Sequence, residues 1–222
     1  MRARWPITAI FGGLVLVLLA VPALGRKPAA RHSSAPALSA TIRRTAHGIP
    51  HIEARSYAGL GYGYGYAFAQ DNLCTIAEQY VTVRAERSRY FGPDKEYTQR
   101  GNGFTVNNLN SDIFWKQVSD SRVVDHLLAR RPPFGPKSEV KELVRGYVAG
   151  YNRYLRKAGG FRHLPDRTCR GKPWVRPISI RDAYLRFYQL VLLASGDVAI
   201  DGIASATPPT GIGTAPPRLS AA

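Results

Sequence analysis

The sequence predicts an α+β protein that is predominantly helical, with one strand pair near its N-terminal side. Three observations carry that prediction. Residues 40–54 are rich in β-branched side chains and are broken by Gly48-Ile49-Pro50. That pattern reads as two short strands around a turn, because Pro50 fixes φ and brings no donor to a ladder. From Ser56 onward, apolar residues recur at helical spacing in four successive segments. Gly92-Pro93, Pro132-Pro133 and Gly159-Gly160 punctuate those segments, as helix stops do.

Ahead of the strand pair, Met1 to Gly25 reads as a secretory signal. Arg2 and Arg4 give a charged start, Ile7 to Leu19 an apolar run, and Ala23-Leu24-Gly25 a small-residue cleavage site. The apolar run is short of the roughly 20 residues of a membrane span, so no stable anchor is expected. Residues 26–40 are polar and rich in Pro and Ala, and are expected to be a disordered leader. One domain is expected over 41–206, and 207–222 reads as a Pro/Gly/Ala-rich linker or tail.

The first helix is expected from Ser56 to about Tyr90. Gly59, Gly63 and Ala67 lie one turn apart, as do Gly61, Gly65 and Ala69, which makes two ridges almost free of side chain. Each Gly costs about 1 kcal/mol relative to Ala in an exposed helix, so the ridges predict close approach of another backbone. A nucleotide loop does not fit. The third glycine of G-x-G-x-x-G falls on Tyr66, no clean strand precedes it, and no acid sits at the ribose distance.

Residues 93–110 lack periodicity and read as a surface excursion. Ser111 or Asp112 is expected to cap a helix running to Ala129. The next helix, 138–157, carries the stripe Val140, Leu143, Val144, Tyr147, Val148, Tyr151 and Leu155, with Ser138 as its expected cap. Gly146 and Gly150 repeat the small-residue device. Ser179 and Asp182 form a capping-box-like start for a helix from Arg181 to about Leu193. That helix is apolar on most faces, which predicts that part of its surface is covered by something outside this sequence. A short apolar run after Ser195-Gly196 carries Asp201.

The formal net charge is +16. A nucleic-acid partner is not expected, because the arginines are scattered and no zinc-finger, homeodomain or RNA-recognition signature occurs. A basic subunit meeting an acidic one, or an anionic cell wall, accounts for the charge equally well. The two cysteines, Cys74 and Cys169, are expected to form a disulfide after export. No G-x-S-x-G, H-E-x-x-H or C-x-x-C occurs. His47, His51 and Glu53 flank the first turn and read as surface residues, while His126 and His163 have no evident partner. The chain by itself is not expected to be an enzyme.

Several ordered motifs carry a family resemblance. GIPHIEA (48–54), GLGYGYGYAFAQDN (59–72) and RAERSRYFGP (84–93) are followed by LNSDIFW (109–115), GYVAGYNRYL (146–155), CRGKPWVRPIS (169–179) and ASATPP (204–209). Together they resemble the α chain of penicillin-acylase-type N-terminal-nucleophile hydrolases. The likeness is greatest to the branch containing the aculeacin and long-chain acyl-homoserine lactone acylases, and it covers roughly Thr41 to Pro209. It implies the α-chain portion of an αββα fold, exported to the periplasm or medium. It implies a β chain of the same precursor as partner, whose N-terminal Ser is the nucleophile and whose own amino group is the base. That Ser follows a Gly in the family, and this sequence contains no Gly-Ser. The substrate implied is a linear N-acyl amide, such as a lipopeptide or an acyl-homoserine lactone. By the same resemblance Val191, Ala194 and Ser195 line the acyl pocket. Asp201 matches a Glu that helps hold a structural calcium, and no other cofactor is implied. The competing expectations are a truncated, non-catalytic acylase fragment and a basic exported binding protein.

Overall fold

The computed structural model describes residues 38–207, so the expected signal sequence and nearly all of the expected tail lie outside the described residues. In chain order the elements are β1 (Thr41–Arg44), β2 (Pro50–Glu53), α1 (Tyr57–Val83), α2 (Arg87–Phe91), β3 (Glu96–Thr98) and β4 (Thr105–Asn107). After these come α3 (Asn108–Asp120), α4 (Val123–Ala129), α5 (Ser138–Lys157), α6 (Ile180–Leu192) and α7 (Ile200–Ala204). The unit is predominantly helical with an N-terminal antiparallel strand pair, as expected, and a second antiparallel pair, β3–β4, that was not.

The backbone approach implied by the glycines is the central packing event. A Cβ at Gly61 would overlap the carbonyl of Leu143, and one at Gly65 that of Tyr147. The relation is reciprocal: a Cβ at Gly146 would strike the carbonyl of Ala58, and one at Gly150 that of Tyr62. So α1 and α5 lie backbone on backbone, each through its own small-residue stripe. The second ridge of α1 serves a different neighbour. Gly63 would place a Cβ 2.6 Å from Ile52 and 2.7 Å from Ala40, so this ridge seats the β1–β2 hairpin and the residues before it. Ala40 therefore belongs to the folded unit, which starts a little before Thr41.

α1 starts on Ser56, whose hydroxyl accepts from the Gly59 amide at 3.0 Å. It ends at Val83 rather than Tyr90, because Ala85 takes φ +56° and the chain restarts as α2. The interruption is fixed by three ion pairs. Arg84 makes a two-pronged bond to Asp182 (2.9 and 2.7 Å), Arg176 reaches Glu86 (2.6 Å) and Arg87 reaches Glu78 (3.1 Å). Arg87 is 3% exposed, and its other donors go to Asn108 and Thr82 while its guanidinium stacks 3.5 Å over Tyr97. A charge that deep is tolerated because each of its three guanidinium nitrogens donates to a side-chain oxygen, one of them a carboxylate. Arg84 and Arg87 are thus internal struts rather than part of a basic surface.

Three further expectations are corrected. The helix expected at 111–129 begins at Asn108 on an Asn107 cap and is split by Arg122 at φ +54°. Asp112 caps a different helix, accepting from the Arg87 and Ser88 amides that open α2. Ser138 does not cap α5; its hydroxyl donates to Glu139, and Lys137 occupies the cap position. Residues 93–110 lie mostly at the surface but are not irregular: they hold the β3–β4 hairpin, which buries Val106 and Gln99. The Ser179–Asp182 capping box is formed as expected. Cys74 and Cys169 are bonded, closing a separation of 95 residues between α1 and the loop before α6.

Candidate functional site

The site is built at the far end of α6, where the sequence is apolar on several faces. One face packs inward through Ala183, Tyr184 and Leu185, all buried. Further along the helix the same side opens out: Phe187 and Leu190, one and two turns beyond Ala183, and Val191 are exposed, Val191 at 76%. Between this helix and the α1–α5 pair runs a cleft of about 170 Å³ lined by Tyr64, Phe68, Tyr147, Arg186, Phe187 and Leu190 among others. The aromatic wall is ordered, with Tyr64 centred 5.7 Å from Phe68 and 5.6 Å from Tyr147. The glycine contact positions it, because it brings α1 and α5 close enough for Tyr64 to meet Tyr147.

Arg186 is the one charged group of the cleft lining. It donates to Gln189 at 2.8 Å, and burial pulls its pKa below the usual arginine range. Burial pushes the Tyr147 phenol up to about 12 and the Tyr80 phenol further, so both stay neutral. The cleft offers alkyl and aromatic surface with one cation. It holds no nucleophile paired with a base. His47, His51, His126 and His163 are all exposed and dispersed, and Glu53 is engaged by Arg43.

The segment after α6 is held by the β3–β4 hairpin and the first turn of α3. Asn102 donates to the Leu193 carbonyl at 3.0 Å, Gln99 donates to the Asp197 carbonyl at 3.0 Å, and Asn110 donates to the Asp201 carboxylate at 3.0 Å. Gly101, at φ +123°, lies against the Leu193 side chain. Ala194 and Ser195 sit on the exposed turn so fixed, and Ser195 folds back on the Leu192 carbonyl. Val191, Ala194 and Ser195 therefore form one exposed rim at the end of α6, while the cleft walls are Tyr64, Phe68, Tyr147, Phe187 and Leu190. Sequence reasoning does not single out those wall residues as site residues. The i, i+4 spacing of Tyr64 and Phe68 beside the glycines is the signal that points to them.

Asp201 is half-buried, and its carboxylate also accepts from the Asn107 amide at 3.2 Å. No cluster of three or more His, Cys, Asp or Glu able to hold a metal occurs among the described residues. Calcium takes six to eight oxygens, so one carboxylate already bonded to two asparagines does not make a site by itself. Asp197 is different. It is fully buried, neither carboxylate oxygen has a partner among the described residues, and burial raises its pKa to about 6, with Arg186 acting the other way.

The penicillin amidase family model matches residues 39–195. The chain is 39% identical to aculeacin-A acylase of Actinoplanes utahensis over 222 residues, covering 96% of this chain and 25% of that protein. It is 40% identical over 172 residues to the acyl-homoserine lactone acylase PvdQ of Pseudomonas fluorescens, covering 77% of this chain and 20% of the other. A chain of a thermostable penicillin G acylase from Alcaligenes faecalis overlays 80% of this one, and 97% of itself, with a TM-score of 0.49 and 22% identity. The chain thus spans about a quarter or less of the length of the curated relatives it matches. Carrying the family's sequence pattern across more than half of its length, the chain belongs to the penicillin amidase family.

Proposed function

We propose that this chain is the α-chain portion of an exported acylase that hydrolyses a linear amide between an acyl chain and an amine. The single observation that supports it best is the open apolar end of α6 beside an aromatic cleft, in a unit with no nucleophile and base brought together. Alkyl surface without reactive groups suits a wall of an acyl pocket whose chemistry is supplied from elsewhere. The nucleophile belongs to a β chain of the same precursor, a Ser activated by its own terminal amine. Long-chain acyl groups, as in lipopeptides or acyl-homoserine lactones, are favoured by the names of the relatives. The rim Val191, Ala194 and Ser195 contacts that acyl chain, and Phe187 and Leu190 extend the wall. Any calcium at Asp201 draws its remaining oxygens from the β chain, and no step of hydrolysis is routed through it.

The test is intact-mass analysis of the protein purified with everything that accompanies it, followed by assay on fatty-acyl amides. A larger partner beginning with Ser, and release of free fatty acid, are expected. Recovery of this chain alone, without acylase activity, would identify it as a non-catalytic fragment and sink the proposal.

A further inference from the structure

Charge in this protein is concentrated rather than uniform. Between Arg153 and Arg176 the sequence carries eight Lys and Arg against one acid, Asp166. That acid is consumed locally, accepting from the Thr168 amide and hydroxyl at 2.9 and 2.7 Å. Arg170 bonds the Pro165 carbonyl, and Arg176 pairs with Glu86. The other six, Arg153, Arg156, Lys157, Arg162, Arg167 and Lys172, are exposed. None of the six forms an ion pair among the described residues. Every Asp and Glu in residues 1–222 falls between Glu53 and Asp201, so residues 1–37 and 208–222 bring no carboxylate side chain to them.

A second feature of the same lobe is apolar. Leu155, Phe161, Pro173, Val175 and Pro177 line an open groove of about 410 Å³ whose cationic members are Arg156 and Arg176. The lobe is held in shape by buried Leu164 and Val175 and by Cys169, bonded to Cys74 of α1. Electrostatics and groove together select a partner. A soluble acidic polymer would use the cations and leave the apolar floor wet, whereas a neutral apolar ligand would leave the cations unused. A surface with anionic heads over hydrocarbon uses both, and clusters of about four to eight basic residues are what such surfaces attract.

We propose that the Arg153–Arg176 lobe docks the protein on an anionic lipid membrane, with lipid head groups on the six exposed cations and hydrocarbon in the Leu155–Phe161–Pro173 groove. This reading is independent of the acylase assignment, since it needs neither a nucleophile nor a substrate.

The test uses the purified protein, with any accompanying chain, in a preparation whose first residue by mass lies beyond Gly25, so that Ile7–Leu19 cannot contribute. Co-sedimentation is measured with vesicles of phosphatidylcholine containing about 30 mol% phosphatidylglycerol, and with phosphatidylcholine alone. Binding to the anionic vesicles is expected, weakened at least ~10-fold by omission of phosphatidylglycerol or by high salt. Lys157→Glu, Arg167→Glu and Lys172→Glu together, all at exposed sites without an ion pair and checked by an unchanged circular dichroism spectrum, are expected to weaken it by ~10-fold or more. Brominated acyl chains should quench the fluorescence lost in Trp174→Phe, because Trp174 lies half-buried in this lobe while Trp115 is fully buried. Absence of vesicle binding, equal binding to neutral vesicles, or indifference to the triple reversal overturns the proposal. Binding without Trp174 quenching, displaced by a soluble polyanion, also overturns it and assigns the lobe to an acidic polymer.

Discussion

The α1–α5 pair and the α6–α7 end are built from the same kinds of residue and solve opposite problems. Where α1 meets α5, the small-residue stripes and the stacked tyrosines are consumed within the chain. Two pairs of glycines meet the facing carbonyls, Tyr80 and Tyr151 stack edge to face at 5.8 Å, and a disulfide ties the helix to the loop beyond. At the end of α6, apolar side chains face solvent, a carboxylate is buried without a partner among the described residues, and the segment beyond is held by Gln99 and Asn102 of the hairpin and Asn110 of α3. The α1–α5 seam is closed by contacts internal to the chain. The second has surface left over, which is what a surface meant for another chain or a ligand looks like.

The largest effect is expected where that contrast is carried by glycine. Gly61→Ala places a methyl into the Leu143 carbonyl, so α1 and α5 must separate; a loss of about 3 kcal/mol is expected, the upper end for overpacking. Gly202→Ala, in α7, meets nothing within 4 Å and is expected to be neutral or stabilising by a few tenths to about 1 kcal/mol. Thermal melts of both decide the matter, and the contrast breaks if the two glycines behave alike.

Next comes Asp197. Its folded pKa of about 6 lies above the ordinary carboxylate value near 4, so the fold favours the protonated form. That contribution is fully present below about pH 4 and is lost as pH rises through 6. The melting temperature of the parent minus that of Asp197→Asn should therefore fall across this window, a difference in which Asp182, shifted the opposite way, cancels. A flat or rising difference would show that the carboxylate finds a partner in solution.

The smallest effect on the fold, and the sharpest on function, is expected at the rim. Val191→Asp changes a residue that is 76% exposed, so stability should move by less than about 0.5 kcal/mol. Long-chain acylase activity, or retention of a partner chain, should nevertheless fall at least ~10-fold, the effect of roughly 1.4 kcal/mol at an apolar contact. Unchanged turnover with an intact complex would remove Val191 from the pocket.

The sequence determined the helix types, the strand pair, the glycine stripes, the capping box at Ser179 and the cysteine partnership, because each is written in local spacing or in a count of two. It also carried the family, since motifs keep their order along a chain. Only the tertiary structure decided which backbone the glycines meet, and that one ridge of α1 serves α5 while the other serves a hairpin. Positive φ at Ala85 and Arg122 broke two helices that look continuous in sequence. The break at Ala85 is held by the long-range partners Asp182 and Asp112, and Arg181 bonds Ser119 beside the break at Arg122; no local window contains these residues. The cleft was illegible for the same reason: Tyr64, Tyr147 and Phe187 are far apart in the chain, and only the close approach of three helices makes them one wall.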